Sequence, residues 1–164
     1  MSDQKAIEEK PKIGTMKSGD YLVHILIQSA KQLSLEGEDS VNPFVNVSVL
    51  NSSKQTSCKD KITRDSKVVY NEHQFFEFKN LSKEEIENSV IKFEIMNKCY
   101  FKGDMIGLFE LSTMSVYNNK DHAMMHTVLG LNNPNSKEFS KITGYLTVSI
   151  NVQGPGDEAV EMQM

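Results

Sequence analysis

Two cysteines, Cys58 and Cys99, are all that 164 residues contain, too few for the disulfide framework of a small secreted scaffold. That scarcity points to a reducing compartment. Apolar runs of membrane-spanning length are missing as well. Residues 1–17 are polar and include Pro11, so no secretory leader is expected. Positive charge is not in excess: 18 basic residues stand against 22 acidic ones, a net of −4, which argues against nucleic acid as a partner. No internal repeat occurs. No Gly-x-Ser-x-Gly elbow or comparable motif organises the serines, histidines and acids, so neither an enzyme nor a cofactor is expected.

What is present is the mix of one ordinary domain, 38% hydrophobic and 24% charged. A chain of this length buries roughly 70% of its unfolded surface and needs no staple. Short alternating segments recur along it. Tyr21–Ile27 is followed by Phe44–Leu50, a polar strand near Lys54–Ile62, then Glu72–Phe78, Val90–Met96, Met105–Leu111, Met124–Leu129 and Gly144–Val152. Turn clusters such as Glu36–Ser40 and Asn51–Ser53 separate them. Eight strands at this spacing predict an all-β, antiparallel Greek-key β-sandwich. One short helix is expected near 83–88, where Ser82 reads as an N-cap and Glu85 as its capping-box partner. The domain is placed at 19–153, with a flexible linker at 1–18 and a second linker at 154–164.

Three segments then narrow the reading. Asn42-Pro43-Phe44-Val45-Asn46-Val47 resembles the second-strand motif of C2 domains. Val69–Phe78 resembles their aromatic Asn-Glu strand, and Phe93–Asn97 followed by Gly103–Gly107 resembles the third top loop and the strand after it. The last third, His122–Leu131, Asn133-Pro134, Phe139 and Gly144–Ala159 with its Gly-Pro-Gly-Asp-Glu-Ala ending, is similar to the end of the second C2 domain of ferlins. Ferlins are large tail-anchored proteins with several C2 domains, acting in vesicle fusion and membrane repair. The resemblance implies one module of a longer protein, facing the cytosol at a vesicle or plasma membrane. Of the two C2 topologies, which are circular permutations, it favours type II, with the first strand beside the last.

The resemblance also locates the family's calcium positions, at Glu36 and Asn42 in the first loop and at Asn97, Cys99 and Asp104 in the third. Calcium takes roughly 6–8 oxygen ligands, and calcium-binding members of the family gather about five carboxylates. Here only Glu36 and Asp104 are acidic, and Cys99 offers a soft sulfur. No metal is therefore expected, although Glu38 and Asp39 lie in the same acidic loop. His122 and His126 have a spacing that suits zinc on a helix, but nothing completes the site and the segment reads as a loop entering a strand. Asn46, Asn51 and Asn80 open glycosylation-type triplets, which carry little weight without a secretory leader.

Two features bear on partners. Lys98-Cys99-Tyr100-Phe101-Lys102 suits a membrane interface, unless Tyr100 and Phe101 fold back onto the sandwich. Lys54, Lys59, Lys61, Arg64 and Lys67 face only Asp60 and Asp65, a local net of +3. They form either a contact for anionic or phosphoinositide headgroups or a solvated, lysine-guarded sheet edge, with Lys59 and Lys61 on one face of the strand. A net of +3 contributes about 3 kcal/mol near an anionic surface. Millimolar affinity corresponds to about 4 kcal/mol, so membrane attachment by this domain alone is expected to be weak. The alternative is a protein-interaction domain docking onto neighbouring ferlin domains or fusion machinery.

Overall fold

The computed structural model describes residues 16–98, 103–138 and 141–162. Ten strands run antiparallel: β1 (Gly19–Lys31), β2 (Ser40–Val41), β3 (Pro43–Val49), β4 (Ser52–Gln55), β5 (Ile62–Thr63), β6 (Lys67–Leu81), β7 (Val90–Asn97), β8 (Asp104–Ser112), β9 (Ala123–Asn132) and β10 (Ile142–Gln153). The eight longer ones form the order β4-β3-β7-β8-β9-β10-β1-β6. Between β8 and β9 the connection is one residue pair, Leu108 with Asn132, so two four-stranded halves meet there. Inward positions alternate as the pleat requires: Val45, Val47 and Val49 on β3, Phe93 and Ile95 on β7, Val23, Ile25 and Ile27 on β1, and Val148, Ile150 and Val152 on β10 are all fully buried. The expected sandwich is thus the fold.

β1 pairs with the last strand, β10, on one side and with β6 on the other, as expected of the type II arrangement. The predicted helix is present as α1 (Lys83–Glu87). Ser82 accepts the Glu85 amide and Glu85 returns the bond to the Ser82 amide, the full capping box.

Three expectations need correction. The polar strand expected near Lys54–Ile62 is only β4, Ser52–Gln55, followed by a loop and the two-residue β5. Lys61 adopts a φ of 53°, which ends extended structure, and the Lys59 amide turns to Pro43 O (3.0 Å). Lys59 and Lys61 therefore do not share a strand face. β6 runs well beyond the expected Glu72–Phe78, with left-handed residues at Asn71 and Asn80. A second helix, α2 (Thr113–Tyr117), was not expected; no side-chain cap marks it in sequence, but it buries Thr113 and Val116. Residues on either side of 19–153 also touch the body. Met16 is buried in the core, and Gly154–Asp157 folds back on the sandwich.

That fold-back is tight. A Cβ on Gly154 would lie 2.8 Å from the Tyr21 ring, so only glycine lets the chain pass. Asp157 Oδ2 then accepts both the Gly154 amide (2.8 Å) and the Tyr117 hydroxyl (2.7 Å). Tyr117 stacks flat on His122 (3.8 Å, 2°), whose Nε2 is 3.6 Å from Asp157 Oδ1. Gly-Pro-Gly-Asp is a clasp at the end of the sandwich where β1 begins and β10 finishes.

Candidate functional site

At the opposite end, three loops converge on Asn42, the residue between β2 and β3. Its amide donates to Asn97 Oδ1 (2.7 Å), and its own Oδ1 accepts the Lys61 amide (2.8 Å). Its carbonyl accepts the Lys98 amide (2.9 Å) and the Cys58 thiol (3.3 Å). The two amide oxygens considered as calcium ligands, those of Asn42 and the buried Asn97, thus accept backbone N–H groups and hold the loops together. What they bring to this end is ammonium groups. Lys61 and Lys98 are exposed, and Lys59, half-buried, lies 5.7 Å from the Tyr70 ring centre.

The remaining calcium positions are dispersed. Asp104 opens β8 in register with Asn97 and is half-buried. Glu36 is exposed and lines a different place, a cleft of about 570 Å³ shared with Glu38, Asp39 and Arg64, whose lining includes none of Asn42, Asn97 and Asp104. Among the described residues no three of His, Cys, Asp and Glu gather to hold a metal ion. Cys99, Tyr100, Phe101 and Lys102 lie outside the described residues.

The basic stretch also divides. Lys54 Nζ donates to Phe75 O and sits over the Phe76 ring (5.4 Å), joining β4 to β6 across the open edge of the sandwich. Ser57 makes a second such link, its amide donating to Glu72 (3.0 Å). Lys59 and Lys61 gather at Asn42, Arg64 lines the cleft, and Lys67 lies opposite Lys31 on β1. Burial pushes the Cys58 thiol above its ordinary value against the pull of the Lys98 charge, which keeps it a poor nucleophile. His122 and His126 are held apart by separate partners, Asp157 and Gln28 (2.8 Å), and form no zinc site together.

One feature escaped the sequence reading. On the outer face of β10-β1-β6, His24, His73 and Phe75 form a ring cluster with centroids 5.0–5.8 Å apart. Desolvation, helped by the His24 charge, lowers the pKa of His73. Val69 on β6 and Val128 on the adjoining β9 stand half-exposed, at 51% and 54%, farther along this face. The signal was a pair of histidines, His24 and His73, at strand positions, each of which reads singly as an ordinary surface residue.

Fold and loop geometry together define a C2 domain, and the C2 domain family model matches residues 21–129: the chain belongs to that family. The relatives it is similar to are ferlins. It is 31% identical over 143 residues to myoferlin of Xenopus tropicalis, covering 87% of this chain, and 29% identical over the same length to myoferlin of Homo sapiens. The chain spans only 7% and 6% of those two proteins. Among solved structures, the tandem C2 domains of extended synaptotagmin 2 superpose with a TM-score of 0.65 at 17% identity, over 96% of this chain and 46% of that one.

Proposed function

We propose that this chain is a non-catalytic, calcium-independent binding module of a ferlin-type protein, contacting anionic membrane during vesicle trafficking and membrane fusion. The observation that carries the reading is the Asn42 hub. Where a calcium-binding relative would collect carboxylates to hold a cation between protein and lipid, this chain commits two amide oxygens to its own loop backbones. Three lysines are held at that end: Lys61 by the Asn42 amide oxygen, Lys98 by the Asn42 carbonyl and Lys59 by the Pro43 carbonyl. Ammonium groups meet anionic headgroups directly, without a bridging ion. Its place is the cytoplasmic face of a vesicle or plasma membrane, supplied by the longer tail-anchored protein. No helix among the described residues is long and apolar enough to cross a membrane.

The test is co-sedimentation with vesicles containing phosphatidylserine or a phosphoinositide, in calcium and in chelator. Binding is expected to be equal in both, to weaken with added salt, and to fall roughly a hundredfold in the Lys59→Ala, Lys61→Ala, Lys98→Ala triple variant, at about 1 kcal/mol per lysine. Binding that requires calcium, or that ignores the triple variant, would overturn the reading.

A second reading has its own observation. The face bearing His24, His73, Phe75, Val69 and Val128 carries little formal charge between Lys31 and Lys67 at one end and Glu77 at the other. Such a face suits docking by a neighbouring ferlin domain or by fusion machinery.

A further inference from the structure

The histidines whose spacing suits zinc, His122 and His126, are held apart, and the pair that meets is a different one. His24 lies on β1 and His73 on β6. Leu26 pairs with His73, so the two histidines take diagonal positions on one face of adjacent antiparallel strands. Their ring centres are 5.7 Å apart. Phe75, directly across from His24, packs against both, edge-on to His24 (5.8 Å, 87°) and 5.0 Å from His73.

The proton on His24 is placed from the third strand of this face. Gln153 on β10 donates from Nε2 to Asp157 O (3.4 Å), which orients its amide so that Oε1 faces His24 Nε2 (3.4 Å). An amide oxygen only accepts, so the neutral ring carries its proton on Nε2 and its lone pair on Nδ1. A carbonyl oxygen behind one ring nitrogen is the outer support that metal-bound imidazoles carry. Asp157 is held in turn by the Tyr117 hydroxyl and the Gly154 amide, so the clasp at the end of the sandwich backs this support. Among the described residues the His73 ring makes no hydrogen bond, which leaves it a lone pair to give.

The donor set selects the ion. Glu77, farther along β6, is bridged to Lys79 (3.2 Å), and no third histidine, cysteine or acid joins the pair among the described residues. Two imidazoles without a carboxylate are a poor site for calcium or magnesium and a good one for zinc or copper. The spacing agrees. With zinc–nitrogen bonds of about 2.0–2.1 Å, two rings on one tetrahedral ion have their centres about 5–6 Å apart, and the observed 5.7 Å falls within that span.

We propose that His24 and His73 form a two-imidazole site for a divalent transition-metal ion of the zinc type, with Gln153 as the residue that positions His24. The site lies on the face of the second reading above but needs no partner, since water completes the ion's coordination.

The test is titration of zinc chloride into the full chain, followed by calorimetry and amide NMR. A dissociation constant of about 10–100 µM is expected, in keeping with half the ligands of a structural zinc site. The shifted signals should be those of residues 22–26, 72–76 and 153. Copper(II) should bind more tightly than zinc, and calcium and magnesium should leave these signals in place. His24→Ala and His73→Ala should each weaken zinc binding about a hundredfold, and Gln153→Leu, which removes only the outer support, about tenfold. His126→Asn should change nothing. Ring nitrogen signals of His24 should report the Nε2–H form in the wild type and a mixture of forms in Gln153→Leu. No shift in the wild type would overturn the proposal without recourse to any variant. So would equal shifts with calcium, an Nδ1–H ring at His24, or zinc binding that survives in the His24→Ala, His73→Ala double variant.

Discussion

Gln74 points inward from β6 at a position paired with Ile25, and its Oε1 has no hydrogen-bond partner among the described residues. A buried acceptor left unsatisfied costs about 1–3 kcal/mol, so Gln74→Leu should raise stability by about 1 kcal/mol. A higher urea midpoint at unchanged m-value is the expected result, and a lower midpoint would mean that the amide is better placed than its lone oxygen implies. Residue roles were the part of this protein least legible in sequence. In sequence, Asn42 and Asn97 read only as degenerate calcium positions. Their use as acceptors for backbone amides depends on partners 55 and 19 residues apart in the chain, a separation that local pattern does not carry. Lys54 was grouped with its basic neighbours because charge is visible in sequence and direction is not.

Elements were legible where their signals are local. The capping box that starts α1 lies within four consecutive residues, and it formed as expected. Ser82→Ala should lower the melting temperature by about 2–4 °C. The Ser82 amide and hydroxyl hold the Glu85 carboxyl below its ordinary value of 4.5. A carboxyl lowered in the folded state stabilises above its unfolded value, so this cap weakens as pH falls through that region. Comparing wild type and Ser82→Ala across pH 3–7 by thermal melting is the check: the two curves should draw together on acidification. α2 went unseen because its N-cap Ser112 makes no side-chain bond; its support is tertiary, with Thr113 Oγ1 accepting from the buried Ser89 (2.7 Å). The polar segment after β4 failed as a strand for the same kind of reason. Its backbone bonds form no continuous ladder: Thr56 and Lys59 donate to Val45 O and Pro43 O on β3, while Ser57 and Lys61 turn to the side chains of Glu72 and Asn42.

At the scale of the whole molecule the alternation of apolar residues was sufficient, since one face of each half must be buried and a slipped register would expose it. Burial of three phenols sets an alkaline limit on that core. Desolvation raises Tyr21, Tyr70 and Tyr117 above the ordinary 10.0, most strongly Tyr70 and Tyr117, the latter helped by its bond to Asp157. A group whose folded value is raised stabilises fully below its unfolded value and loses that contribution as pH climbs beyond it. Unfolding free energy should therefore be level up to about pH 10 and decline above it; Tyr70→Phe should flatten the decline, and an unchanged slope in that variant would assign it elsewhere. The clasp at Asp157 has a mechanical consequence. Gly19 lies against Pro155, so both strands that lead out of the body, β1 and β10, do so side by side at one end. Tension on the chain would pull these paired strands apart from that end, breaking rungs in sequence instead of shearing many together. The Tyr117–Asp157–Gly154 knot is then the first bond in line, and under load this domain should open like a zip from its tail while the distant loops keep their shape.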